Sequence, residues 1–346
     1  MQAKHAPRPI LLYGAYGHTA RFIIGELINK GYTPILSGRD RKKLETASEA
    51  HGGLEVRPAA ADDPIALNFA LHGVHAVINA AGPFAFTAIA VADAAIQAHV
   101  SYLDIAAEPD VVAAMIEQCG QRAGEAGVAI APAIGFYGGL GDLLATAAMG
   151  DWPQAEQITL AYSLSRWVPT AGTRVTIDAA EKRRGGQRLV FRNGQLTLRG
   201  DEPETTEWDF PAPVGRQTVV SEFTTADCLT MSRHLKTKAI SQYMTLAPLK
   251  DLGGADLSAQ EVVDVQGRSA QTFLLEAVVH WGTQQRRAFA QGQDIYAVTA
   301  PLAVQGLKRL LDQPQRWRGA VAAGELGDAR SYLSALAPEH LTVQFE

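Results

Sequence analysis

Tyr13-Gly14-Ala15-Tyr16-Gly17-His18-Thr19-Ala20-Arg21 is the stretch that decides the fold. A short apolar run, Pro9 to Tyr13, leads into it, the pattern of a buried parallel strand. Arg21 to Lys30 leads out with Phe22, Ile23, Leu27 and Ile28 at helical spacing, and Gly31 stands where a helix ends. A glycine turn between strand and helix is the setting in which a dinucleotide fingerprint is credible. Gly14 permits the sharp turn, Gly17 lets backbone approach a pyrophosphate, and Ala20 keeps the helix close to the strand. Backbone N–H groups at the helix start would hold the pyrophosphate. Ala15, Tyr16, His18 and Thr19 complete this cofactor loop, His18 as a loop residue near the phosphates rather than an acid or base.

Working outward, strand and helix patterns alternate. Strands are expected at Thr33–Ser37, Leu54–Arg57, Ala76–Ala80, Ser101–Ile105 and Val128–Pro132, with helices at 40–51, 64–71, 85–98 and 109–126 between them. Repeated βα units require right-handed crossovers and hence a parallel sheet, a doubly wound Rossmann-type domain. Beyond about residue 150 the runs 157–163, 188–191, 195–198, 217–223, 261–265, 273–280 and 286–291 alternate apolar and polar positions. That is the mark of antiparallel strands with one wetted face. Arg192-Asn193-Gly194 reads as a hairpin turn. Helices are expected at 173–183, 225–235 and 295–312. The reading is therefore α/β, with residues 1–135 a Rossmann domain and 136–294 an α+β domain on a mixed or antiparallel sheet for substrate and dimerisation. Residues 295–346 are read as closing helices packed back on the first domain.

The end of the second strand chooses the dinucleotide. An NAD site places Asp or Glu there for the ribose hydroxyls. This chain reads Leu36-Ser37-Gly38-Arg39-Asp40-Arg41-Lys42-Lys43. A guanidinium at Arg39 can pair with a 2′-phosphate and stack on adenine. Ser37 offers a hydroxyl, and Arg41 or Lys43 longer-range charge or merely a solvated helix start. The expected cofactor is NADP(H).

Composition narrows the class. With 47% hydrophobic and 19% charged residues the chain has ample material for a core. Its net charge of −5 lacks the basic footprint of a nucleic-acid binder. Cys119 and Cys228 have no ligand-type spacing, so neither a disulfide framework nor a metal site is expected. The most apolar stretch, 76–92, is broken by Asn79, Gly82-Pro83 and Thr87, which excludes a membrane span. The opening MQAKHAPRP shows no secretory pattern, and a cytoplasmic protein is expected.

The GAYGHTAR loop, the SGRDRKKL segment, VINAAGPF, SYLDIAAE and AIGFYGGLGDLLA together resemble the saccharopine-dehydrogenase-like family, as does GQDIYAVTAPLAVQGLKRLL. The resemblance implies an NADPH-dependent oxidoreductase with a Rossmann domain, a substrate domain on a mixed sheet and a homodimeric assembly. Two segments depart from the family pattern: Phe136 to Asp142 after the sixth strand, and Ala107-Glu108 after the fifth. Both line the expected crevice, so the family's substrate does not carry over.

Ligands of open α/β sheets lie beyond the carboxyl ends of the strands. There Asn79, Ala80, Ala81, Gly82 and Pro83 would let backbone approach the cofactor ribose and nicotinamide, Gly82-Pro83 serving equally as a helix-start turn. Tyr102 and Asp104 share one strand face by two-residue alternation, with Glu108 nearby. Asp104, Tyr137 and Asp142 are the candidate catalytic groups. Tyr137 reads as a proton donor beside the hydride acceptor or as an aromatic cover, and Asp142 as an acid or as a charge favoured by the helix dipole. Arg166 and Arg174 could anchor a carboxylate or phosphate, or be surface arginines, and Thr173 is a possible helix cap. No Tyr is followed by Lys four positions on, and no HExxH, nucleophile elbow or Walker A loop is present. Hydride transfer needs little beyond orientation and a proton source. Two functions remain: a reductase or dehydrogenase acting on a small imine, carbonyl or activated alkene, and a non-catalytic NADP(H) sensor.

Overall fold

The computed structural model describes residues 8–253 and 261–346. The opening residues Met1 to Pro7, on which the reading of a missing secretory pattern rests, lie outside them. The first half alternates β1 (Pro9–Tyr13), α1 (His18–Asn29), β2 (Thr33–Gly38), α2 (Arg41–Ala50), β3 (Val56–Pro58), α3 (Pro64–Ala70), β4 (Ala76–Asn79), α4 (Phe84–Gln97), β5 (Ser101–Asp104), α5 (Pro109–Ala126), β6 (Ala129–Ala131) and α6 (Leu140–Met149). Strand order 6-5-4-1-2-3, all parallel, is the doubly wound arrangement expected. Each face of this sheet is buried. Ile10 and Leu12 pack toward α1 while Leu11 and Tyr13 pack toward the opposite cluster with Val77 and Tyr102. Burying each such Leu or Ile side chain contributes roughly 1.5–3 kcal/mol. Gly31, at φ +80°, ends α1 as its spacing predicts.

The second half runs through β7 (Ala155–Leu164), α7 (Ala171–Arg184), β8 (Arg188–Arg192), β9 (Gln195–Arg199), β10 (Thr205–Asp209), β11 (Arg216–Ser221), α8 (Asp227–His234), β12 (Thr237–Thr245), α9 (Leu246–Gly253), β13 (Thr272–Trp281), β14 (Gln284–Gln293) and α10 (Ile295–Asp312). It closes with β15 (Gly319–Ala320), α11 (Ala329–Ser334) and β16 (Leu341–Phe345). A mixed sheet of order β10-β11-β12-β7-β13-β14-β16 forms the second domain. Its one parallel pair is β12 with β7, and the other ladders are antiparallel. β8 and β9 form a separate hairpin, turned by Asn193 and Gly194 at φ +52° and +77°.

After residue 295 the chain serves both sheets. α10 lies against α1, β15 extends the first sheet beside β6, and β16 extends the second beside β14.

Two local expectations are corrected. Glu261–Val265 is no strand; a lone bridge joins Val262 to Ser269. Asp264 explains this, because its Oδ1 accepts from the N–H groups of Gln266 and Arg268 and folds the segment into a turn closed by Gly267 at φ +79°. The cap of α7 is Thr170 rather than Thr173: Thr170 Oγ1 accepts from the Thr173 N–H at 3.1 Å. Among the described residues, no helix is long and apolar enough to cross a membrane, and no acid, histidine or cysteine cluster is arranged to hold a metal ion.

Candidate functional site

The fingerprint loop is built to leave a helix start open. Gly14 and Ala15 donate their N–H groups to the Ser37 carbonyl at 2.8 and 3.1 Å, which ties the loop to the end of β2. Gly17 then precedes α1 with no side-chain cap, so the N–H groups of the first turn and the positive end of the helix dipole are left for an anion. Gly14 sits at φ +81°, and a Cβ there would stand 2.7 Å from Ala81. A Cβ on Gly38 would stand 3.0 Å from the Tyr16 ring. The two loops thus approach as closely as a glycine backbone allows, forming a cradle of the shape a dinucleotide needs.

Around it, Arg39 is exposed at the end of β2 with no ion-pair partner among the described residues. Arg41 pairs with Glu45 at 3.7 Å and Lys43 with Asp40 at 3.7 Å, its ammonium also 5.7 Å from the Tyr16 ring centre. Ser37 departs from its expected role. Its side chain is fully buried and its hydroxyl donates to the Arg57 carbonyl at 2.7 Å, so it faces the strand layer rather than a phosphate. His18 is half-buried, its ring edge-on to Tyr296 at 5.2 Å. Burial, and then the Arg21 charge, hold its pKa below the usual histidine value, so it sits neutral in the loop.

The next loop is held from within. Asn79 is fully buried; its amide donates to Tyr102 and Thr87, and its Oδ1 accepts from the Ala81 N–H. That fixes Ala80, Ala81 and Gly82-Pro83, over which α7 passes with Thr176 Oγ1 3.0 Å from where a Cβ on Gly82 would lie. Asp104 is fully buried and takes a different part from the catalytic one expected. Its Oδ1 accepts from Ala106 and Ala133 N–H at 3.0 and 2.7 Å, and its Oδ2 from the Tyr102 hydroxyl at 2.8 Å. It clamps the ends of β5 and β6. Asp142 likewise turns away from the crevice: Oδ1 meets His234 Nε2 at 2.7 Å and Oδ2 accepts from the Gly324 N–H at 2.8 Å. Burial lowers the His234 pKa, but the Asp142 carboxylate outweighs it and leaves the net shift upward.

Tyr137, the third candidate, sits among aromatic rings. It is 8% exposed, and its hydroxyl is buried with no hydrogen-bond partner among the described residues. Burial, then Tyr296 and Asp227, push its phenol well above the usual value, so it remains a protonated donor. Its ring lies 5.5 Å from Tyr162, 5.7 Å from Trp167 and 6.1 Å from Phe223. Trp167 Nε1 donates to the Tyr296 hydroxyl at 3.3 Å, so contacts run unbroken from His18 in the cofactor loop to Tyr137. The Ala226 N–H donates to the Ala107 carbonyl at 3.1 Å, bringing α8 to the same strand ends.

Behind this floor lies a group that sequence reasoning missed. Asp227 is fully buried, its Oδ2 accepting from the hydroxyls of Tyr162 at 2.7 Å and Thr225 at 2.6 Å, with Gln242 donating to Thr225 at 2.6 Å. Its Oδ1 packs over the start of α6, where a Cβ on Gly141 would collide with it. Burial pushes the carboxyl up to about 6 against the pull of those hydroxyls. An acid raised on folding binds its proton more tightly in the native state. Its contribution is therefore complete below the ordinary value of 3.8 and lost as pH rises to about 6, by roughly 3 kcal/mol. Urea unfolding of the wild type should show that loss, and Asp227→Asn should remove this part of the slope. Identical slopes in the two proteins would contradict the assignment.

An open groove of about 630 Å³ lies elsewhere, between the β8–β9 hairpin and β12, with no lining residue from the first sheet. Gln242 borders both that groove and the Asp227 network.

Residues 14–106 match a family model described as NAD(P)H-binding. The described chain superimposes on saccharopine dehydrogenase (L-Glu forming) from Saccharomyces cerevisiae with a TM-score of 0.67 at 11% identity, covering 98% of this chain and 100% of that one. The chain has the saccharopine dehydrogenase fold. A lipid droplet localized protein of Caenorhabditis elegans is 29% identical over 140 residues, 37% of this chain; the match spans 33% of that relative's length. The fold is thus the one that the loop motifs imply, and the matched family model makes the cofactor of the first domain a nicotinamide dinucleotide.

Proposed function

We propose that this chain is an NADPH-dependent oxidoreductase that moves a hydride to or from a small organic substrate, an imine, carbonyl or activated alkene. The observation that carries this is Tyr137: a buried hydroxyl without a partner, set at the strand ends where the two domains meet. A phenol left without a protein partner there can give its proton to a substrate oxygen, which a reductase needs and a sensor does not. Gly14, Gly17 and the open start of α1 would hold the pyrophosphate, and Arg39 the 2′-phosphate. The Asn79-braced loop through Pro83 would lie against the nicotinamide. When bound, the cofactor supplies the hydride. The protein's own part is to orient the substrate over that loop and to give a proton from Tyr137, with Trp167, Phe223 and α7 keeping water from the crevice.

The division into a cofactor domain to residue 135, a substrate domain to 294 and closing helices belongs to the same proposal. So do a cytoplasmic setting and a homodimer through the second sheet, whose outer strands among the described residues are β10 and β16; light scattering reads the last directly.

The proposal is tested by thermal unfolding with each cofactor. Ligand stabilisation grows with the logarithm of concentration over Kd. A hundredfold preference for NADPH should separate the two saturating series by about 2.7 kcal/mol. Equal shifts with NADPH and NADH would remove the phosphate-specific part of the proposal.

A further inference from the structure

Tyr137 and its neighbours offer rings and an unsatisfied hydroxyl, while the guanidinium groups of Arg21, Arg183 and Arg184 are already engaged. Tyr137 and Trp167 keep 8% and 7% of their surfaces open, and Phe223 is half-buried beside them. On α7, Arg183 and Arg184 are ion-paired to Asp110 at 2.8 and 3.0 Å. Beside the cofactor loop, Arg21 donates to the Gly267 carbonyl at 2.8 Å and lies over Phe22. Behind these rings stands Asp227, a carboxyl that accepts from the Tyr162 and Thr225 hydroxyls. An ionised substrate group laid against these rings would lose its water beside guanidinium groups that already have partners, which is costly. An apolar body with one acceptor atom would lose little and satisfy the orphaned donor.

Building on the oxidoreductase reading, we infer that the crevice takes an uncharged, largely apolar carbonyl compound, its oxygen accepting a hydrogen bond from Tyr137 and its body lying on Trp167 and Phe223. In the reductive direction the carbonyl carbon gains the hydride and the C=O π pair moves to oxygen. That oxygen takes the Tyr137 proton, and a proton from solvent restores the phenol. NADPH is oxidised to NADP⁺ as the carbonyl becomes an alcohol.

The test uses matched pairs that differ by one carboxylate: benzaldehyde against 4-formylbenzoate, and trans-cinnamaldehyde against its 4-carboxy form. Two readouts are taken on the wild-type protein with NADPH: kcat/KM for NADPH consumption, and quenching of the tryptophan emission that Trp167→Phe removes. Each neutral member should be favoured at least about a hundredfold in kcat/KM, in keeping with the cost of burying an unpaired charge, and should quench where its partner does not. Tyr137→Phe should keep the quenching and lose the turnover. Equal or reversed preference within the pairs overturns the inference and leaves the oxidoreductase standing, most directly if Arg174→Ala then abolishes use of the carboxylates. Neither member bound nor reduced, with NADPH bound, also overturns it. Failure of NADPH itself to bind overturns the reading on which it rests.

Discussion

Tyr137→Phe should lower kcat for NADPH-dependent reduction by roughly a hundred- to ten-thousandfold, the range that a positioned proton donor contributes. NADPH affinity should not change, since the cofactor cradle is built from Gly14, Gly17 and the start of α1. The expected effect on stability has the opposite sign. The Tyr137 hydroxyl is buried without a partner, and such a group costs about 1–3 kcal/mol of desolvation. Removing it leaves the ring and its contacts with Tyr162, Trp167 and Phe223 in place. The phenylalanine protein should therefore be as stable as the wild type or slightly more so, while nearly inactive. Loss of stability together with activity would make Tyr137 a packing residue, and retained turnover would place the proton source elsewhere.

Gly14→Ala should destabilise the fold by roughly 2–5 kcal/mol, with about 1–2 from the left-handed backbone and about 1–3 from overpacking. The new methyl would meet Ala81, including its backbone, at 2.7 Å, and neither strand end can retreat from a fully buried sheet. Gly31→Ala is the control. Its φ of +80° is nearly the same, but nothing lies within 4 Å of the added methyl, so the backbone cost alone should appear. Urea unfolding of the two variants measures the difference. Equal losses would mean that the β1 and β4 loops can part, and that the close approach is not a built feature.

The turn at Gly14 also shows where sequence reading succeeds. Gly14 announces itself because its strand, turn and helix are contiguous, and the physics of a tight turn is local. The Asn193-Gly194 hairpin is legible for the same reason. Asp227 was not, although it sits in a helix whose place was read. In sequence it is one acid in a first turn, like many that merely complement a helix dipole. Its meaning comes from Tyr162, 65 positions away, brought to it by the parallel pairing of β7 with β12 and by α8. Asp142 misleads in the reverse direction: it stands at the start of a helix after the sixth strand, yet its partner is His234, 92 positions on. Ser37 is the simplest case, because alternation in a strand buried on both faces does not say which side a cofactor will occupy.

The central claim is that Arg39 reads a 2′-phosphate, and calorimetric titration of NADPH and NADH against wild type and Arg39→Ala tests it most directly. Hydrogen bonds to a charged group contribute roughly 1.5–3 kcal/mol, so NADPH binding should weaken about ten- to a hundredfold. NADH offers only hydroxyls at that position, and its affinity should stay as it was. If both cofactors weaken in parallel, or neither does, the phosphate is not read by Arg39 and the claim is contradicted.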